Sequence, residues 1–190
     1  MKAHKSKFFL IFVAVLFSAA VLFRQLRKAL PVLIPIAVHE GGHLLAAHRM
    51  GLRWRRFSIS PDGVKLQPKS SLISYGVECV TALGGPLANL LTAFLGTKVP
   101  FFAPLVFPSL FLSVVNLLPI RNFDGGRILG CLICEAADER ASRRILAVTS
   151  SVSVIALWLI SAYFLLRYGF SLGLFVFSVS VFYKVFIKSE

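Results

Sequence analysis

The chain has 190 residues, of which 57% are hydrophobic and only 15% are charged, and its formal net charge is +13. A soluble domain ordinarily carries about 25% charged residues, so this composition argues against a soluble globular domain and favours a membrane protein. The excess of Lys and Arg would suggest a nucleic-acid partner in a soluble chain, whereas in a membrane protein it reports on orientation.

The first apolar segment covers residues 8–23, and two interpretations of it are open. Its basic start and the small residues Ser18, Ala19 and Ala20 are typical of a cleaved signal peptide. The apolar run continues past these residues and ends at Arg24. This continuation favours a retained membrane anchor, which we predict.

The second apolar segment, residues 29–49, contains His39-Glu40-Gly41-Gly42-His43. Residues four apart lie on one face of an α-helix, so both imidazoles can bind a single metal ion. Glu40 can then act as a base on a metal-bound water, and zinc suits this ligand type. A charge at the centre of a membrane helix costs about 2.5–3.5 kcal/mol and therefore marks function. The alternative is a histidine pair bonded to backbone carbonyls near a helix end.

The connection at residues 50–72 shows an alternation of apolar and polar residues on both sides of a turn signal. Phe57 and Ile59 precede Pro61-Asp62-Gly63, and Val64 and Leu66 follow it. This pattern predicts a short β-hairpin, with a plain interfacial loop as the alternative.

Four more apolar segments follow, and the predicted fold class is an α-helical polytopic membrane protein with about six transmembrane helices. The fifth segment, Ile145 to Leu166, has 22 residues without a charge, and about 20 apolar residues span a bilayer. The connection at 120–144 is long and polar, and within it Glu135 to Arg144 predicts an interfacial helix. The four segments are residues 73–95, 101–119, 145–166 and 169–186.

The distribution of Lys and Arg predicts that the N-terminus is cytoplasmic, because cytoplasmic loops retain these residues. With that orientation, five of the 21 basic residues lie outside and the other sixteen inside. The outside set is Arg24, Arg27, Lys28, Lys98 and Arg167. The same asymmetry explains the net charge without any nucleic-acid partner.

A zinc site with two histidines needs a third ligand, and Asp124 is the best candidate among the acidic residues. It closes the fourth predicted segment and is followed by Gly125-Gly126, where the backbone can approach closely. Segments two and four both run from outside to inside. The sequence therefore predicts that the two halves of the site meet in the cytoplasmic half of the membrane. Glu135 or Glu139 is the alternative third ligand, and the role of Glu78 is left open.

Three motifs at these positions resemble those of the site-2 protease family. The run from Asn116 to Arg127 looks like its NxxPxxxxDG signature, and the segment His39 to His43 is similar to its HExxH motif. Gly84-Gly85-Pro86-Leu87-Ala88-Asn89 resembles the GGPxxN-type turn of its third core helix. The matches cover about residues 30–130. The six-segment layout looks most like the sporulation branch, that of stage IV sporulation protein FB, whose members cleave a membrane-associated pro-sigma factor.

The resemblance implies a zinc metalloendopeptidase that carries out regulated intramembrane proteolysis. His39, His43 and Asp124 would hold one Zn²⁺ per chain, and Glu40 would be the catalytic base. Asn116 would donate to the substrate oxyanion, with a helix-packing role as its alternative. The hairpin would pair with substrate backbone by strand addition on the cytoplasmic side.

The resemblance also sets expectations for partners and domains. The expected partners are a membrane-associated protein substrate and the lipid bilayer, with inhibitory membrane proteins left open and nucleic acid excluded. We expect residues 1–190 to form one membrane-embedded peptidase domain in the cell membrane, without PDZ or CBS domains. A catalytically silent membrane binding protein of the same fold is the rival from another functional class.

Overall fold

A computed structural model describes Arg24, Arg27 and residues 29–52, 54–60, 63–68, 74–169 and 172–186 of the chain. In the two strand segments, 54–60 and 63–68, it describes the backbone alone. The first predicted membrane segment, residues 8–23, lies outside the described residues.

Six α-helices and one 3₁₀-helix make up most of the described chain. Three of them are long and apolar enough to cross a membrane: α1 (Ala29–Arg49), α2 (Tyr75–Lys98) and α5 (Glu139–Tyr168). The shorter apolar helices are the 3₁₀-helix (Pro100–Leu105) with α3 (Val106–Asn116), and α6 (Leu172–Phe186). The described chain thus fits a membrane protein, and the prediction of six spans is not confirmed. The remaining helix of the described chain is α4 (Asp124–Ala136).

Two strands lie between α1 and α2, in the segment for which a hairpin was predicted. Strand β1 (Trp54–Ser60) pairs antiparallel with β2 (Gly63–Pro68), with Ser60 opposite Gly63. The register shifts between Trp54 and Arg56, which is a bulge-type irregularity near the open end of the pair.

Two sequence predictions about the region after α3 are wrong. Asp124 does not close the fourth segment, because α3 ends at Asn116 and Asp124 is the first residue of the separate helix α4. Glu135 to Arg144 does not form one interfacial helix either. Asp138 interrupts it by accepting a hydrogen bond from the Ala141 N–H at 2.6 Å, which caps the start of α5.

Helices α1 and α2 cross at a contact between glycines. A side chain on Gly42 would overlap the Gly84 carbonyl and the Ala88 side chain, and one on Gly84 would overlap the Gly42 carbonyl and Ala46. Each helix therefore presents a small residue, three others and a second small residue, the spacing that lets helix backbones touch in membranes. This contact brings the histidines of α1 against α2.

The interior of the described bundle is rich in small and polar side chains, and its outer surface is apolar. Ser109, Ser113 and Asn89 are fully buried, whereas Phe94 is 60% and Leu91 58% exposed. A soluble protein has the opposite distribution, and the observed one suits helices whose outer faces contact lipid.

Candidate metal centre

His39, His43 and Asp124 meet between α1 and the start of α4. The Asp124 Oδ2 atom lies 3.0 Å from His39 Nε2 and 3.3 Å from His43 Nε2, and the two Nε2 atoms are 3.2 Å apart. Among the described residues this is the one group of three His, Cys, Asp or Glu side chains whose ligand atoms converge closely enough to hold a metal ion. His39 is 5% and Asp124 7% exposed, so the group is buried in the bundle.

The spacing of these three atoms fits a tetrahedral zinc ion. Bonds of about 2.0–2.1 Å to zinc place neighbouring ligand atoms roughly 3.3 Å apart, close to the distances between the three side chains. Two imidazole nitrogens and a carboxylate oxygen are also ligand types that zinc accepts, with the fourth position left for water or substrate.

The His43 ring shows why a cation suits this site. Its Nδ1 atom lies 2.8 Å from the Thr81 carbonyl, and a carbonyl can only accept, so Nδ1 carries the proton. The Gly85 N–H, 3.3 Å from the same nitrogen, is then no donor to it. In a neutral ring Nε2 is consequently a bare acceptor that faces another acceptor, Asp124 Oδ2. A bound cation between the two atoms removes that repulsion.

Helix α2 forms one wall of the site through residues spaced by one turn. The Thr81 carbonyl accepts from His43, the Asn89 amide lies 3.2 Å from His39 Nδ1, and Gly85 lies between them in sequence. A side chain on Gly85 would overlap the rings of His43 and His39. Pro86 has no N–H for the Ala82 carbonyl and crowds that turn, next to the carbonyl that His43 uses.

The loop between α3 and α4 delivers Asp124 by close backbone contact. A side chain on Gly125 would overlap the Leu117 carbonyl, and one on Gly126 would overlap the Ile120 carbonyl. The sequence predicted a close backbone approach at the two glycines after Asp124, and the structure has one. The backbone that these glycines approach is that of the loop before α4.

Glu40 lies on α1 beside His39 and is half-buried. Among the described residues its carboxylate makes no hydrogen bond and no ion pair, so none of them competes with a water for it. The role of general base predicted for Glu40 therefore stays a prediction.

Asn116 was predicted to help at the oxyanion, and its hydrogen bond goes elsewhere. Its Nδ2 donates to the Leu112 carbonyl of its own helix at 3.0 Å, and no hydrogen bond joins it to the three ligand candidates within the described chain. One N–H of this amide is left for another acceptor, so the predicted role stays a prediction.

Two further charged residues border the site, and sequence reasoning gave them no role. Arg127 lies 3.8 Å from the other carboxylate oxygen of Asp124, Oδ1, and 3.7 Å from Glu78. Glu78, whose role was left open, is thus linked to Asp124 through Arg127. The alternative third ligands are not in the group: Glu135 is exposed, and Glu139 pairs with Arg143 at 3.1 Å.

Comparisons with known proteins identify the fold. Residues 92–160 match the sequence model described as Peptidase family M50, a range that includes Asn116 and Asp124 but not the histidines. The structure is similar to that of the Site-2 Protease from Methanocaldococcus jannaschii, with a TM-score of 0.61 and 21% identity. That match covers 96% of this chain and 88% of the other. No curated protein sequence matches the chain.

The chain therefore has the fold of a site-2 protease and carries a segment that matches Peptidase family M50. Neither comparison separates the sporulation branch from others, so the resemblance to that branch stays a prediction.

Proposed function

We propose that the protein is a zinc-dependent intramembrane endopeptidase. It would hydrolyse a peptide bond in or near a membrane segment of a membrane-associated protein. The observation that carries the proposal is the convergence of His39 Nε2, His43 Nε2 and Asp124 Oδ2 within 3.3 Å. Glu40, the next residue after His39 on α1, makes no ion pair among the described residues. A silent binding protein has no need for a base at that point.

The roles of the residues follow from their positions. His39, His43 and Asp124 would hold a zinc ion, which would supply Lewis acidity and make a water at the site more acidic. Glu40 accepts the proton of the attacking water and returns it to the leaving amine. Asn116 offers its remaining amide N–H to the oxygen of the scissile carbonyl.

Access of the substrate to the site is part of the proposal. A helical segment hides its peptide bonds, so the substrate has to unwind before attack. The backbone of β1 and β2 offers a strand edge with which the unwound segment could pair. We place this hairpin and the site on the cytoplasmic side, because most Lys and Arg residues lie on that side of the proposed orientation.

The substrate class proposed is a membrane-associated pro-sigma factor, as in regulated intramembrane proteolysis during sporulation. This finer proposal is supported by the resemblance of the sequence motifs and segment layout to the sporulation branch. Inhibitory membrane proteins would be the regulatory partners.

The test is co-expression of the wild type, or of Glu40→Gln, with a tagged pro-sigma factor of the sporulation type and with an unrelated single-span membrane protein. The proposal predicts cleavage by the wild type alone, with equal zinc content in both proteins. Cleavage of the unrelated protein alone would contradict the proposed sporulation substrate and support the peptidase activity. Zinc in both proteins with no cleavage of either substrate would favour the silent binding protein.

A further inference from the structure

Asn89 is the most deeply buried amide beside the metal centre, and its contacts are incomplete. Its side chain is fully buried, with Nδ2 3.2 Å from His39 Nδ1. Its Oδ1 atom is also buried and has no hydrogen-bond partner among the described residues. An orphaned buried acceptor of this kind is rare and calls for an explanation.

The placement of the amide decides which nitrogen of His39 carries the ring proton. When Nδ2 donates to Nδ1, the proton must be on Nε2, which then donates to Asp124 Oδ2 at 3.0 Å. That tautomer gives both ring nitrogens of His39 a hydrogen-bond partner. It cannot bind a metal through Nε2, because an imidazole ligates through a nitrogen that has no proton.

Rotation of the amide by half a turn produces the other tautomer. The oxygen and nitrogen of an amide exchange places in this rotation, and their assignment follows from the hydrogen-bond network. Oδ1 then accepts the Nδ1–H of His39, and Nδ2 takes the position that has no hydrogen-bond partner among the described residues. Nε2 becomes bare and faces Asp124 and His43, as a metal ligand must.

We propose that Asn89 is a positioning residue whose Oδ1 holds His39 in its metal-binding tautomer. The proposal rests on the zinc site of the proposed function. Helix α2 would then orient both histidines, since the Thr81 carbonyl already accepts from His43 Nδ1 at 2.8 Å. The two acceptors lie eight residues apart on one face of α2, on either side of Gly85.

Two substitutions separate an acceptor from a donor at this position. Asn89→Asp keeps an acceptor and removes the donor, and Asn89→Leu removes both while it keeps the branched shape of the side chain. Loss of such a partner of a metal-bound histidine lowers metal affinity by about 10–100-fold. We therefore expect a loss of that size in Asn89→Leu and near wild-type zinc affinity in Asn89→Asp.

The measurement is the zinc dissociation constant of the purified, detergent-solubilised full chain, obtained by competition with a chelator. The unfolding midpoint of the metal-free protein is measured in parallel. Thr92→Val serves as the control, because it removes a polar group from the same helix. The Thr92 hydroxyl donates to the Ala88 carbonyl of that helix at 2.9 Å. Its zinc affinity should equal that of the wild type.

Each outcome decides the matter. Wild-type affinity in Asn89→Leu, or equal losses in Asn89→Leu and Asn89→Asp, would overturn the inference and leave the zinc site standing. If Asn89→Leu does not fold, Asn89→Asp still decides, because an acceptor role predicts that Asn89→Asp retains zinc, and a loss of zinc in that variant would overturn the inference. Failure of the wild type to bind zinc would overturn the proposed function, and this inference with it.

Discussion

The two histidines of the site are oriented by atoms of a different helix. His43 donates to a backbone carbonyl of α2, and His39 contacts the buried amide of Asn89. These contacts fix the rings at the depth of Asp124, and second-sphere contacts of this type raise metal affinity. The space for the rings is left by Gly85, whose missing side chain is therefore part of the site.

Gly85→Ala should weaken zinc binding, because the added methyl group would overlap the rings of both histidines. We expect a loss of affinity of about tenfold or more, comparable to the removal of a second-sphere contact. Gly41→Ala is the matched control, since nothing lies within 4 Å of a side chain there and Gly41 lies between the same histidines in sequence. Competition with a chelator measures the zinc affinity of both variants. Equal zinc affinities would contradict the role assigned to Gly85.

The sequence predicts the ligand candidates at this scale and misses the groups that orient them. His39 and His43 have a helical spacing that any metal site on one helix requires, and Asp124 stands out by its glycines. The Thr81 carbonyl has no signature, because every residue has a carbonyl. Asn89 lies in the GGPxxN-type motif, but its contact with His39 depends on how α1 and α2 cross, which the sequence does not show.

The segment from Leu117 to Phe123 is the element that places Asp124. It connects the end of α3 to α4 and contacts α4 at Gly125 and Gly126. Ser150 of α5 holds it from the other side, accepting the Arg121 N–H at 2.9 Å and donating to the Pro119 carbonyl at 3.5 Å. The position of the third ligand candidate thus depends on α5, which contributes no ligand.

Ser150→Ala should destabilise the fold and weaken zinc binding together. It leaves the Arg121 N–H without its acceptor, at a cost of about 1–3 kcal/mol in the free energy of unfolding. Ser151→Ala is the control, because the exposed Ser151 hydroxyl donates to the Ala147 carbonyl of its own helix. Its effect should stay within about 0.5 kcal/mol. Unfolding in sodium dodecyl sulfate and zinc titration provide the comparison. A similar loss in both variants would argue against this role of Ser150.

The error about Asp124 has a physical cause at this scale. Apolar runs predict where a helix crosses the membrane, but they do not show where one helix ends and the next begins. Pro119 and the glycines after Asp124 are turn signals. They lie so close to α3 in sequence that Asp124 was assigned to the end of that helix. The contact with Ser150, about 30 residues later, is not visible in the sequence.

At the scale of the whole molecule, the described helices have an apolar outer surface and an interior of small and polar residues. Between α5 and α6, for example, the buried hydroxyl groups of Ser161 and Ser178 lie 2.7 Å apart. Such contacts hold helices together where lipid removes the hydrophobic drive for association. Composition predicts this class of protein well, since it needs only the long uncharged runs.

The orientation in the membrane is a prediction of the basic residues alone. We expect a single cysteine at Lys98→Cys to react with an impermeant maleimide in intact cells, and one at Arg140→Cys to react only after permeabilisation. Both residues are exposed, and the native Cys79, Cys131 and Cys134 would first be changed to Ala. The reverse labelling pattern would invert the proposed topology and move the site to the outer half.

The most direct test of the central claim is the zinc content of the purified full chain. It would be measured for the wild type, His43→Ala, Asp124→Ala and Glu40→Gln after the same mild purification. We predict about one zinc per chain in the wild type and in Glu40→Gln, and a large loss in the two variants that lack a ligand. A wild type without zinc, or full zinc content in both His43→Ala and Asp124→Ala, would contradict the claim that these residues form the metal centre.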